Sequence, residues 1–103
     1  MIVEVGAMRV TTLAQLRSER RIRAYRRHPV ADLWMLAPEH SKREAQQADF
    51  DAADAIYESD KMALEATLTA LSAEEWAAYC AAIGWEPVGA TQEEQAADYV
   101  ARG

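Results

Sequence analysis

The chain has 103 residues and a net charge of −6, enough for one domain with a single core, since domains typically run to about 100–150 residues. Half of it is apolar, yet 22 residues are alanine and only four are glycine, a composition that favours helix and argues against a large parallel sheet with its Val/Ile-rich strands. One cysteine excludes an intramolecular disulfide and a cysteine-rich zinc site. No apolar run approaches the roughly 20 residues of a membrane span, and the composition fits a soluble protein of a reducing, cytoplasmic compartment without signal or anchor.

The first ten residues, Met1 to Val10, have the strongest strand character. They lack an obvious pairing partner, Trp85 to Ala90 being the other extended candidate. Met8 also offers a second start, which would make residues 1–7 a dispensable extension. Thr12-Leu13-Ala14-Gln15 reads as a capping box, its hydroxyl and amide placed to satisfy first-turn amides. Leu13 and Leu16 open an apolar face that continues on the helical repeat as Arg20, Arg23 and Arg27, while Ile22 and Tyr25 fall elsewhere. Pro29 ends or kinks this helix at His28, and Pro29 to Ala37, with Val30, Leu33, Trp34, Met35 and Leu36, predicts a short buried helix.

A second capping box at Ser41 to Glu44 opens the clearest helix, running to about Leu71. Phe50, Tyr57, Leu64 and Leu71 recur every seven residues, with Ala53 and Leu68 on the same stripe. Asp60 and Lys61 interrupt it and suggest a break near Ser59. A third capping box, Ser72 to Glu75, has Leu71 and Trp76 at the positions of a hydrophobic staple. Its helix places Trp76, Tyr79, Cys80 and Ile83 at core spacing, and Gly84 is placed to stop it. Trp85 to Ala90 reads as a loop. Thr91 to Glu94 is a fourth box, opening a last helix through Ala96, Tyr99 and Val100. The expectation is a single all-α domain over residues 1–103, a compact bundle of four to five helices with a short extended N-terminal segment.

Charge is unevenly distributed. Residues 1–43 carry nine cations against four carboxylates, and residues 44–103 carry two cations against thirteen. Six of the eleven cations are the arginines Arg17, Arg20, Arg21, Arg23, Arg26 and Arg27. Guanidinium pairs bidentately with phosphate and stacks on planar rings, and exposed ion pairs contribute only about 0–1 kcal/mol each, so stability alone is a weak reason for such clustering. With Tyr25, and Trp34 as a second ring, to stack on bases, the segment suits single-stranded nucleic acid better than a duplex. Asp51, Asp54, Glu58 and Glu65, with Glu44, line one stripe of the long helix. That stripe reads as a solvated face, a counter-surface for the arginines, or a docking surface for a basic partner.

Catalytic signals are sparse. His28 and His40 have no neighbour at metal-ligand spacing, no glycine-rich loop cradles a phosphate, and Asp49 to Asp60 fails as a calcium loop because Asp54 stands where glycine is needed. No cofactor, metal or catalytic group is expected. In size, acidity, helical pattern and opposed charged faces at Arg17–Arg27 and Glu44–Glu65, the chain resembles small phage-encoded inhibitors of bacterial defence, the anti-CRISPR proteins among them. That resemblance implies a non-enzymatic protein that occludes a nucleic-acid-handling complex. It would do so by covering nucleic acid with the arginine helix or by mimicking nucleic acid with the acidic stripe. The leading expectation is therefore a non-catalytic protein binding nucleic acid, or a nucleoprotein complex, through the arginines. The alternative is a protein-interaction module using Asp51, Asp54, Glu58 and Glu65, and the apolar heptad face is also a candidate homodimer seam.

Overall fold

A computed structural model describes the backbone of residues 1–26 and 40–103, and the side chains of residues 1–24 and 47–103. Two short strands, β1 (Ile2–Val5) and β2 (Met8–Thr11), are followed by α1 (Leu13–Arg26), α2 (His40–Ala70), α3 (Ala73–Ile83) and α4 (Gln92–Ala101). The described chain is thus mostly helical, as composition dictates, but it is not purely α. The body measures 52 × 23 × 18 Å, its long dimension set by α2, whose 31 residues span about 46 Å at 1.5 Å per residue.

The extended segment finds its partner in itself. β1 and β2 pair antiparallel in the register Ile2↔Thr11 to Val5↔Met8, leaving Gly6 and Ala7 as a two-residue loop. Gly6 has φ +60°, and glycine at the first central position is what a type II′ hairpin turn requires. The pleat sends Val3, Val5 and Val10 into the core, so residues 1–7 are not dispensable to this fold. Met1 adds to the same junction. Its amine donates to Gln15 Oε1 at 2.6 Å, and its carbonyl accepts from Thr12 Oγ1 at 2.7 Å.

The helix starts follow the hydroxyl caps with variations. Thr12 accepts from the Gln15 amide at 3.2 Å, while the Gln15 side chain is taken by Met1 and so does not complete the box. Ser72 makes the full reciprocal box with Glu75. Thr91 accepts from the Glu94 amide, and the Glu94 carboxylate reaches the Ala90 amide instead of the cap's own. Helix α2 begins at His40, which puts Ser41 inside its first turn. It passes Ser59 without the expected break, because Asp60 and Lys61 both find partners beside the core stripe. Gly84 stops α3 in the left-handed conformation, φ +68° and ψ 31°. The short helix expected over residues 29–37 lies outside the described residues.

Phe50 apart, which is half-buried, the heptad stripe of α2 faces inward: Tyr57, Leu64, Leu68 and Leu71 join Leu13, Leu16, Trp76, Tyr79, Cys80, Ala96, Tyr99 and Val100 in one core. A hydroxyl chain crosses it. Tyr79 donates to the Thr11 carbonyl at 2.8 Å and lies 3.3 Å from the Tyr99 hydroxyl, which accepts from the Leu13 amide at 3.1 Å. Two elements distant in sequence, α3 and α4, are thereby joined to the hairpin's exit. Gln92 adds a further link, donating from Nε2 to the Leu68 and Leu71 carbonyls and so satisfying the C-terminal end of α2.

Candidate functional site

The arginines of α1 do not share one environment. Arg20 and Arg23, one turn apart, straddle Tyr57 of α2. The Arg20 guanidinium lies over the Tyr57 ring, 4.1 Å from its centroid, and 3.8 Å from Asp54 Oδ1. Arg23 Nη1 donates to Asp60 Oδ2 at 3.3 Å. Asp54 and Asp60 stand three residues either side of Tyr57, so each guanidinium meets one flank of the same turn. Lys61 completes the surround, its Nζ 5.0 Å from the ring centroid and 3.1 Å from Glu58 Oε1. A buried ring with cations against it is stabilised through its quadrupole.

Arg17 and Arg21 are both exposed on α1. Together with Arg20 they line a cleft of about 340 Å³ between α1 and α2, closed on the α2 side by Phe50, Ala53 and Asp54. Arg23 belongs instead to a second cleft, about 430 Å³, floored by Val10, Leu16 and Leu64. Thus Arg17, Arg20 and Arg21 are brought together and Arg23 is separated from them. The side chains of Tyr25 and Arg26, and residue Arg27, lie outside the described residues, as does the side chain of Glu44.

The acidic stripe divides as well. Asp54 turns toward α1 and Arg20. Asp51 and Glu58 stay exposed, Asp51 accepting from Gln47 Nε2 at 2.9 Å, and Glu65 is half-buried. Beyond that row α2 shows solvent a face without charge: Ile56, Ser59, Met62 and the alanines at 48, 52, 55, 63, 66 and 70 are all exposed. Met62 is 72% exposed and Ile56 43%. The core heptad drew attention to the opposite side of this helix, and a run of alanines carries no amphipathic signal, so the outward face was not legible beforehand.

Neither titratable group with a resolved shift sits in a cleft. Burial pushes the Cys80 thiol up, keeping it an unreactive small hydrophobe. Burial, then the neighbouring Tyr99 hydroxyl, push Tyr79 far up, consistent with a structural donor. No group of three or more His, Cys, Asp or Glu among the described residues could hold a metal, and no described helix is long and apolar enough to cross a membrane. Compared with known protein families, curated proteins and solved structures, the chain matches none.

Proposed function

We propose that this protein is a non-catalytic binding module that docks a basic protein partner along the outward face of α2. The observation that carries the proposal is that face: an uncharged strip of α2 about 33 Å long between residues 48 and 70 at 1.5 Å per residue, with Met62 72% exposed on it and Asp51 and Glu58 along one edge. Solvated faces of surface helices are normally charged or polar, whereas an apolar strip with a polar rim is the anatomy of an interface. A single helix laid along it makes a contact at the small, transient end of the range, below about 1,200 Å² in total.

Charge selects the occupant. In an antiparallel pair of two copies, the row of Asp51, Glu58 and Glu65 would face its own counterpart, and like charges so placed repel. A partner helix edged with lysine or arginine meets complementary potential instead. The reading of α1 as a continuous nucleic-acid track is less well supported, because Arg20 and Arg23 are turned onto α2. A module of this kind would occlude a basic, nucleic-acid-handling partner, the mode of action implied by its likeness in size and charge to phage inhibitors.

The test is fluorescence anisotropy with a lysine-edged, alanine- and leucine-faced helical peptide and its glutamate-edged counterpart. The lysine peptide should bind and the glutamate peptide should not. Asp51→Lys with Glu58→Lys, and separately Met62→Glu, should each weaken binding while leaving the helical circular dichroism unchanged. Equal binding of both peptides, or indifference to both substitutions, refutes the proposal.

A further inference from the structure

We infer that the outer edge of β2 takes up one further strand, an extended segment of a partner protein with an acidic residue between two apolar ones. This goes beyond the docking of a helix on the outward face of α2 and does not rest on it. The observation behind it is a row of backbone groups with nothing to bond. In a hairpin with a two-residue loop the flanking residues, here Val5 and Met8, form a hydrogen-bonded pair, and bonded pairs alternate with non-bonded ones along the ladder. The register therefore makes Val3 and Val10 the next bonded pair and leaves Glu4–Arg9 and Ile2–Thr11 non-bonded, with their N–H and C=O groups pointing away from the partner strand. The Thr11 carbonyl agrees with this phase, since it accepts from the Tyr79 hydroxyl at 2.8 Å. Among the described residues, the Arg9 N–H, the Arg9 C=O and the Thr11 N–H have no partner.

Room for a strand lies alongside. The cleft of about 430 Å³ is lined by Arg9, Val10 and Thr11 on the hairpin side and by residues of α1 and α2 opposite. Successive strand residues alternate between faces, so three in a row border one cleft where it runs along the strand's edge. That volume holds a short strand and not the folded body of a second copy. β2 has four residues, about 13 Å at 3.3–3.4 Å each, so a segment of similar length matches it. In an added antiparallel strand, the residue opposite Arg9 exchanges both hydrogen bonds with it, and the residue opposite Thr11 accepts from the Thr11 amide. The residue between them shares the face of Val10 and meets the buried Leu16 and Leu64 on the cleft floor, which favours an apolar β-branched side chain. The residue opposite Arg9 lies beside an exposed guanidinium with no ion-pair partner among the described residues. A carboxylate fits there, because opposite charges directly across a ladder attract. Main-chain bonds supply affinity in such a pairing, and alternate side chains supply specificity.

Amide NMR with the end-blocked tetrapeptide Thr-Val-Glu-Val tests the pairing, its glutamate standing opposite Arg9 and its first valine opposite Val10. In the free protein the Arg9 and Thr11 amides should exchange with solvent faster than those of Met8 and Val10, which are bonded to β1. Saturating peptide should slow exchange at Arg9 and Thr11 and shift their resonances. N-methylation of the peptide's glutamate removes the N–H that meets the Arg9 carbonyl and should weaken binding about tenfold. N-methylation of the first valine, whose N–H points away from β2, should weaken it less than about threefold. Arg9→Glu should reverse the preference between this peptide and Thr-Val-Lys-Val, with the Val3 and Val10 amides still protected as a check on the hairpin. Equal binding of the glutamate and lysine peptides to the unaltered protein would overturn the acidic part of the partner's signature. Slow exchange of the Arg9 and Thr11 amides in the free protein, no shift of either at the highest soluble peptide concentration, or equal losses from the two methylations would overturn strand addition itself. None of these outcomes bears on helix docking at α2, because an extended tetrapeptide does not probe it.

Discussion

Two buried tyrosines of the same core should respond in opposite directions to loss of their hydroxyls. Tyr79 is fully buried and donates to the Thr11 carbonyl at 2.8 Å, with the Tyr99 hydroxyl at 3.3 Å. Tyr79→Phe removes that donor and leaves an acceptor beside the end of β2 unmatched. Stranding a buried polar group by removing its partner costs about 1–3 kcal/mol, which puts the loss near 2 kcal/mol. Tyr57 is equally buried, but its hydroxyl has no hydrogen-bond partner. Tyr57→Phe keeps the ring under Arg20 and removes an unsatisfied oxygen, so it should be neutral or stabilise by up to about 1 kcal/mol. In a domain of this size 1 kcal/mol moves Tm by roughly 4–8 °C, so the two variants should separate by more than about 8 °C. Urea titration followed by far-UV circular dichroism, with unchanged m-values, measures both. If Tyr57→Phe falls as far as Tyr79→Phe, the assignment of hydrogen bonds in this core is wrong.

Other expectations follow from particular contacts. Gly84 sits at φ +68° with open space where a Cβ would go, so Gly84→Ala should lose about 1 kcal/mol to backbone strain alone, and Gly84→Asn less; thermal melts of the pair check it. Ser72→Ala removes the complete capping box of α3 and should lose about 1 kcal/mol. Cys80 and Tyr79 both have raised pKa values through burial. The unfolded chain therefore sheds these protons first, and stability should decline as pH rises beyond the ordinary thiol value of about 8.5 and then the ordinary phenol value of about 10. Urea midpoints across an alkaline series should show the decline, and Tyr79→Phe should flatten its upper part. Arg23→Ala breaks an ion pair whose partners are both more than a third exposed and should change stability by at most about 1 kcal/mol.

Most of the helical frame was legible because hydroxyl caps and apolar spacing agree. Ser72, Thr91 and Gly84 mark real ends, and Tyr57, Leu64 and Leu71 face the core as their spacing requires. What the sequence hid was pairing at a distance. Gly6 is the one-residue signal for the hairpin, but it carries that meaning only once both flanks are seen as strands of equal length. Asp60 and Lys61 looked like an interruption because charge at the margin of an apolar stripe is legible as a fault until its partners are placed. Those partners are Arg23 of α1 for Asp60, and the Tyr57 ring and Glu58 of the same helix for Lys61. The gathering of Arg17, Arg20 and Arg21 opposite Phe50 depends on how α1 lies across α2, which no local pattern encodes.

The division of charge along the chain has a structural use once the helices are placed. An exposed pair such as Arg20–Asp54 adds little stability, but two such pairs on either side of one buried ring act on register. Sliding α1 by one turn along α2 would bring Arg23 to the Tyr57 ring, strand Asp60 beside apolar floor residues and carry Arg20 beyond the turn that holds it. Mispairing of that kind costs more than correct pairing contributes, since like or unmatched charges are penalised where matched ones are nearly neutral. Two of the arginines therefore fix how α1 lies on α2, and that placement in turn sets Arg17 and Arg21 at the mouth of the cleft. The carboxylates with no such duty, Asp51 and Glu58, are the ones left facing outward beside Met62. The same interhelical register thus produces both the arginine-lined cleft and the acidic, apolar outer face, and exchanging Arg23 with Asp60 should preserve both surfaces where removing either residue alone loosens them.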